Sequence, residues 1–565
     1  MARKSESKPK SREELIQQDV RELHKLGYAQ QLFREMGGFS NFAISFSIIS
    51  ILTGAMLLYG YGLKFVGPII NTVGWPIISI FTMIIAASMA EIASAFPTAG
   101  GLYFWASKLG GTGWGWLTAW MNMVGQITIT AGINIAAAIY GVGLITRMFN
   151  LDPAAPALGG LFGWTLSSWG FYIFVMVVIM IPQVLINIYG IKLTAMLNDF
   201  SVYWHIGGVL IIALLLYIFG QHHQSLAFAM QRTTTVNPLD ASSAVFPDGT
   251  TGPALVIGTL VIKSPFFAIF PGLLNTYKAA PFLFVFALAF LQGQWTYTGY
   301  DASAHVAEET VMARLNSAWG VFLSVAVSAI VGYIVLMAFT LNIPDIAATA
   351  TDPYPVLYIA YQGLTTFFAD LVAIIVFGGM WLCGLSTVTS MSRMFFAFAR
   401  DDGMPFSSAF RYIHPVLRTP TKSIIITSIL AVLVCMYSAA YFVVTSISTI
   451  TLYIAYNIPV LLNVRNKLSG KGTFTTEQNA PWNLKGWGPF LNIVAVIWTV
   501  LICILFVLPP NELVLWTMVL LGIILVIYWF GYARTHFTGP KAADEAELRR
   551  IEAQLAAAAK GKGDD

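Results

Sequence analysis

At 565 residues, with 57% hydrophobic and only 10% charged residues and a mean hydropathy of +0.71, this chain cannot be an ordinary soluble domain. Its net charge of +4 comes from an uneven placement of Lys and Arg along the chain and gives no argument for a nucleic-acid partner. The three cysteines, Cys383, Cys435 and Cys503, sit in apolar stretches without metal-ligand spacing, so they read as small buried hydrophobes.

In chain order, residues 1–35 are polar and of mixed charge. They lack the apolar core of a cleavable signal peptide, which leaves the first span as the insertion signal. Apolar runs long enough to cross ~30 Å of hydrocarbon then recur almost to the end. They fall at 39–62, 72–96, 115–146, 168–189, 196–219, 282–303, 318–341, 365–398, 423–438, 442–464, 487–508 and 512–532, twelve crossings. An even number puts both tails on one side. The tails and loops of that side hold 25 of the 31 basic residues. The opposite loops hold five (Lys64, Arg147, Arg232, Lys263 and Lys278), and Arg393 lies near the end of span eight. An excess of Lys and Arg marks cytosolic loops, so both termini are expected in the cytosol of a multi-pass plasma-membrane protein.

The longest stretch outside the spans, 221–280, is expected outside the cell. Its apolar piece, 253–274, is broken by Lys263, Pro265 and Pro271 and reads as short surface helices rather than a crossing. The Ala/Glu/Arg-rich stretch 542–560 reads as a solvated helix. The resulting divisions are a cytosolic tail (1–38), five spans (39–219), an extracellular loop (220–281), five more spans (282–466), two additional spans (467–532) and a second cytosolic tail (533–565).

Spans one and six, the first members of the two five-span units, both carry polar interruptions. Discontinuous helices at corresponding positions mark the binding region of inverted-repeat transporters. Span six inserts Trp295, Thr296, Tyr297, Thr298, Gly299, Tyr300 and Asp301 into an apolar run. Polar groups at membrane depth are costly and line substrate or ion paths. Trp295 and Tyr297 form a stacking wall over a small amine, or else pack structurally. Asp301 faces a substrate ammonium, titrates with transport, or pairs with another helix. His305, Glu308 and Glu309 are expected on a solvated cytosolic surface.

In span one, Ser50, Ile51, Leu52, Thr53 and Gly54 lie midway. An unwound turn there would leave peptide N–H groups at the start of a half-helix, able to hold a carboxylate. The alternative is ordinary packing of small residues between membrane helices. His205 in span five and the hydroxyl pair Ser386 and Thr387 in span eight are the candidates for ion coupling. The histidine suits a proton and the hydroxyls suit sodium. No Walker loop, His-Glu-x-x-His or Gly-x-Ser-x-Gly is present. The chain therefore reads as a transporter rather than an enzyme, with no catalytic residue, bound metal or cofactor beyond a coupling proton or sodium ion.

Four blocks carry a family resemblance. The second span ends Ala90-Glu91-Ile92-Ala93-Ser94-Ala95-Phe96-Pro97-Thr98-Ala99-Gly100-Gly101-Leu102-Tyr103. Span six runs from Gly299-Tyr300-Asp301 to Glu308-Glu309. Span eight ends with Ser392-Arg393-Met394, followed by Ala399-Arg400-Asp401-Asp402-Gly403-Met404-Pro405. These resemble the motifs of the amino acid–polyamine–organocation superfamily over about residues 35–535. Thr296 to His305 is similar to the amino acid/choline branch, which holds GABA and choline permeases.

The resemblance implies an all-α membrane fold of about twelve helices, a five-plus-five inverted repeat of the bacterial leucine-transporter type plus two extra helices. It also implies discontinuous helices one and six, and a substrate site at 50–54 and 295–301. His205 stands seven residues after Asn198, where proton-coupled relatives place a lysine, while Ser386 and Thr387 match a sodium-holding pair. The two coupling readings thus compete over one region, and a cationic His205 in the sodium's place favours protons. Span one departs from the family's Gly-Ser/Thr-Gly, with Ser50-Ile51-Leu52 and a later Gly54, which leaves room for a longer amine such as GABA, or for choline. The expected function is proton-coupled import of an amino acid or related amine by alternating access. Choline or polyamine transport, sodium coupling, exchange and nutrient sensing are the alternatives. The expected partners are a small molecule and the bilayer, with a monomer by default and no nucleic acid.

Overall fold

The computed structural model describes residues 11–246, 248–257, 260–437, 441–470 and 479–560. Among them, ten helices are individually long and apolar enough to cross a bilayer. Two further spans complete the predicted twelve. Span nine, Thr421–Tyr437, is short at 17 residues, and its expected last residue, 438, lies outside the described residues. Span six is interrupted. Helices dominate because a bilayer offers backbone groups no partner, so each segment must satisfy its own N–H and C=O groups.

The five-plus-five arrangement shows in matched pairs. Span one is Gly38–Ile49, a break, then Gly54–Leu57 and Tyr59–Val66. Span six is Phe282–Leu288 and Leu291–Thr296, a break, then Ala302–His305. Spans three, Thr112–Met148, and eight, Thr366–Arg400, are the longest at 37 and 35 residues. A nine-residue helix precedes each, Leu102–Gly110 and Pro355–Gly363. Because each unit has five crossings, an odd number, the second unit runs in the opposite sense to the first.

The long loop differs from its expected form. The apolar piece 253–274 is not all helix: β1 (Ser243–Val245), β2 (Thr251–Ile257) and β3 (Leu260–Lys263) make an antiparallel sheet in the order β1-β2-β3. The run Leu255-Val256-Ile257 pairs with Ile262, Val261 and Leu260, and its β-branched Val and Ile residues fit a pleated surface better than a two-turn helix. The expected short helices follow at Pro265–Ile269 and Pro271–Ala279, the latter meeting span six at a 100° bend. Glu512 at the start of span twelve ties the loop down, accepting from the Ser264 hydroxyl and from the Phe266 N–H at 2.8 Å.

Both tails lie on one face of the bundle. The Ala543 N–H donates to the Gly27 carbonyl at 3.1 Å. Glu552 on the last helix, Glu545–Lys560, accepts from the Gln30 N–H at 2.7 Å and stands 2.8 Å from His24 Nε2. That helix is largely exposed, as expected, yet it is docked on the first tail rather than free.

Candidate functional site

The two breaks sit against each other. Ser50 ends the first half of span one in the left-handed region, φ 31°, and Gly299 turns span six with φ 92°. A Cβ on Gly299 would lie 2.1 Å from Ile48 Cγ2, and one on Gly54 only 2.7 Å from Thr296 Cα. Glycine at both places lets the four half-helices cross at van der Waals contact. Hydrogen bonds finish the seam: Ser45 Oγ donates to the Tyr300 carbonyl at 2.8 Å, and Asn41 Nδ2 to the Ser303 carbonyl at 2.9 Å. Among the described residues, the N–H groups of Ile51, Leu52, Tyr300 and Asp301 have no hydrogen-bond acceptor. Each half-helix that starts after a break therefore begins near unpaired donors.

Between the breaks lies a cavity of about 10 Å³, lined by Ile48, Ile49, Thr53, Gly54, Ile129, Ile133, Trp295, Thr296 and Thr298. That is room for about one water, far less than an amino acid occupies. Of the expected site at 50–54 and 295–301, Thr53, Gly54, Trp295, Thr296 and Thr298 reach this cavity. Trp295 is fixed by its indole N–H, which donates to Ser448 Oγ on span ten (Tyr441–Leu468) at 2.9 Å. Tyr297 turns away: its hydroxyl lies 2.6 Å from Ser79 on span two (Trp75–Ala95), and its ring lies 4.7 Å from that of Trp75. Its position fits packing rather than a wall of the cavity.

Asp301 also points elsewhere. Its Oδ2 accepts from Asn122 at 3.2 Å and Gln126 at 3.0 Å, both on span three, and lies 3.0 Å from His305 Nε2. Its Oδ1 accepts from the Tyr456 hydroxyl at 2.8 Å, and that hydroxyl in turn accepts from the Gly299 N–H at 3.0 Å. These partners lie on spans three, six and ten, and Asp301 is not among the residues that line the cavity. Sequence reasoning missed Asn122, Gln126, Ser448 and Tyr456. A signal for the first two exists: Asn122, Gln126, Thr130 and Asn134 recur every four residues in an apolar helix and are all buried.

On span five (Ile191–Phe219), His205 Nε2 lies 2.8 Å from Ser50 Oγ, which is 2.6 Å from Thr53 Oγ1. Nδ1 lies 2.8 Å from the Ser201 carbonyl. A carbonyl can only accept, so Nδ1 carries the proton, and Nε2 accepts from Ser50 when the ring is neutral. Ser386 bonds instead to Asn198 and to the Leu382 carbonyl, and Thr387 to the Gly384 carbonyl. His205 faces Gly379, whereas Asn198 faces Ser386. These contacts are seven residues apart on each helix, about 10 Å. The histidine and the hydroxyl pair thus occupy two levels and not one shared spot, a correction to the expected overlap.

A second correction concerns His305, Glu308 and Glu309, expected on a solvated surface and in fact fully buried. Arg400 clamps Glu308 through two bonds of 2.9 and 2.8 Å, and Arg393 meets Glu309 at 3.2 Å. Burial alone would raise the pKa of Glu308, but the Arg400 guanidinium outweighs it and holds the carboxyl below its ordinary value. For Glu309 burial prevails over Arg393, and the pKa is raised. Ala99 donates its N–H to Glu308 at 3.1 Å, and Tyr28 and Tyr103 donate to Asp401 at 2.7 and 2.5 Å. All four of the sequence blocks therefore meet in one closure on the tail face.

The chain is similar to known proteins over most of its length. A family model described as "Amino acid permease" matches residues 36–530. The chain is 31% identical to "Amino-acid permease BAT1" of Arabidopsis thaliana over 92% of this chain and 95% of that one. It is also 31% identical to the "Amino-acid permease BAT1 homolog" of Oryza sativa, covering 92% and 94%. The crystal structure of MhsT in complex with L-phenylalanine covers 84% of this chain and 99% of its own, at 16% identity and a TM-score of 0.49. With a family model spanning nearly the whole helical bundle, the chain belongs to the amino acid permease family.

Proposed function

We propose that this protein is a secondary active transporter that imports an amino acid or related amine, such as GABA, by alternating access coupled to protons. The observation that carries the reading is the pair of facing breaks around one cavity, with unpaired peptide donors at each. Those donors suit a carboxylate, and carbonyls freed at helix ends suit an ammonium. The cavity is too small for an amino acid, so substrate enters only when the half-helices part, first on one side and then on the other. The wall residues are uncharged, which favours a neutral substrate body. Only one aromatic, Trp295, lines the cavity. An aromatic cage for choline or a polyamine needs more than one, and Tyr297 is turned away, so amino acid transport ranks above the choline and polyamine alternatives.

By the excess of basic residues, the tail face is cytosolic and the sheet-bearing loop external, in the plasma membrane. The expected divisions at 39–219, 220–281, 282–466 and 467–532 follow this topology. Proton coupling is preferred to sodium because the hydroxyls of Ser386 and Thr387 are engaged within the protein. Asp301 and His205 are the protonatable groups nearest the breaks. The test is a substrate screen in liposomes under separate proton and sodium gradients, with labelled GABA challenged by excess choline. Accumulation of an amino acid under the proton gradient alone is expected. Uptake that needs sodium, or GABA uptake abolished by choline with no amino acid accepted, would refute it.

A further inference from the structure

The buried pair Asp301 and His305 has a proton count that its neighbours fix. His305 Nδ1 lies 3.1 Å from the Ala99 carbonyl, an acceptor only, so Nδ1 carries a hydrogen. Nε2 lies 3.0 Å from Asp301 Oδ2, and one proton must occupy that contact. Asp301 already accepts from Asn122, Gln126 and Tyr456. A carboxylate receiving donors at both oxygens is the ionised form. The shared proton therefore sits on His305 and makes it an imidazolium. Asn122 Nδ2, 3.4 Å from Nε2, directs its N–H to the nearer carboxylate oxygen.

His205 offers the opposite setting. Its ring meets the Ser50 and Ser201 hydroxyls, the Ser201 carbonyl and the edge of Phe46, none of which is an anion. An imidazolium there would be a buried charge without a counter-ion. At His305 the carboxylate is one helical turn away on the same span.

We infer that Asp301 and His305 together bind the coupling proton, as a carboxylate–imidazolium pair, and that His205 remains neutral and positions the break in span one. This rests on the transport reading above and names where its proton is held. With the proton bound, the pair is neutral overall and His305 serves two acceptors, Asp301 and Ala99. When the proton leaves, the neutral ring retains one N–H and can serve only one of them. Either span six loses its tie to the loop after span two, or Asp301 becomes an uncompensated anion. Proton loss thus loosens the tail-face closure, to which Ala99 is also joined through Glu308.

The groups facing the pair from its neighbours fit this role. Span three presents the amides Asn122 and Gln126, span ten the Tyr456 phenol, span six itself Tyr300, and span one Asn41 and Ser45 beside Ser303. The nearby charges on span eight, Arg393 and Arg400, are taken up by Glu309 and Glu308.

The test uses the purified full chain in liposomes with labelled L-alanine and labelled GABA as probes. Counterflow without a gradient is compared with uptake under an inward gradient of one pH unit. One proton per substrate sustains about tenfold accumulation per pH unit, the value expected for the parent. His305→Gln keeps an N–H for Asp301 but cannot hold the charge. It is expected to retain counterflow and accumulate nothing above the external concentration. His205→Gln is expected to keep the parent's accumulation of about tenfold per pH unit, whatever its rate of counterflow. Gradient-driven accumulation by His305→Gln, or its loss in His205→Gln alone, overturns the inference. Calorimetry of L-alanine or GABA binding to the parent, in two buffers of different ionisation enthalpy, needs no variant. One proton taken up per substrate is expected. Parent counterflow with no proton uptake defeats the inference while leaving amino acid transport standing, whereas no counterflow with any amino acid defeats both.

Discussion

Gly299→Ala tests whether the two breaks must touch. Two separate penalties arise at this residue. Its φ of 92° lies in the left-handed half of conformational space, where a Cβ costs about 1–2 kcal/mol. The added Cβ would also fall 2.1 Å from Ile48 Cγ2 and 3.1 Å from Ile48 Cβ. Overpacking of that kind costs about 1–3 kcal/mol, for a combined loss of about 2–5 kcal/mol. Ile48→Ala removes Cγ2 and with it most of the clash, but leaves the backbone strain. Measured against Ile48→Ala alone, the double variant should therefore retain a deficit of only about 1–2 kcal/mol. Thermal unfolding of the four proteins in detergent gives the stability cycle, and counterflow in liposomes gives its functional counterpart. Gly299→Ala behaving as the parent in both assays would refute the crossing geometry. A Gly299→Ala loss as large in the Ile48→Ala background as in the parent would refute Ile48 as the obstacle.

Asp301→Asn leaves His305 without its counter-ion and is expected to abolish gradient-driven uptake while the protein still reaches the membrane. Normal uptake, read with labelled L-alanine or GABA, would count against any role in coupling. His205→Ala strands the Ser50 and Ser201 hydroxyls at a cost of about 1–3 kcal/mol, seen as a lower melting temperature, with the response to a proton gradient unchanged. Glu309→Gln leaves Arg393 buried and unpaired, a loss of about 3–5 kcal/mol, whereas Glu309→Leu combined with Arg393→Met should restore most of it; equal melting of the single and double variants would show that the pair is not the cause. Ser386→Ala breaks the bond to Asn198 and should leave the ion dependence of uptake as it was, measured by replacing sodium with potassium.

Much of this fold could be read from the chain, because hydrocarbon imposes a simple rule: an apolar run of sufficient length is a helix. The twelve spans and the two breaks follow from that rule and from Ser50, Gly54 and Gly299, residues that interrupt helices. The side-chain targets could not be read. Tyr297 and Trp295 are two residues apart and equally aromatic, yet one reaches the cavity and the other reaches Ser79. That choice depends on where span two lies, which no local pattern encodes. The acidic pair Glu308 and Glu309 follows the last turn of span six, where solvation is the ordinary outcome. Their partners Arg400 and Arg393 are 92 and 84 residues further along, so the burial becomes visible only once spans six and eight are packed. The strands of the loop were hidden by Pro265 and Pro271, which punctuate the apolar piece and suit the starts of short helices.

The chemistry of the tail-face closure bears on how it can open. An apolar seal would forfeit about 25 cal/mol for every Å² exposed to water. Here the seal includes Glu308 with Arg400, Glu309 with Arg393 and Glu91 with Lys467. Buried ion pairs contribute little net stability because desolvation offsets most of their attraction. On opening, water returns the solvation that closure removed, so separating these pairs costs far less than their short distances imply. The same pairs remain specific, since a carboxylate left facing the wrong neighbour is expensive. A closure built this way holds one register firmly while staying near balance with its open form, as a conformational cycle requires. The Asp301–His305 contact adds to that face a pair whose charge changes with a single proton, and a shift near balance is where one proton has most effect.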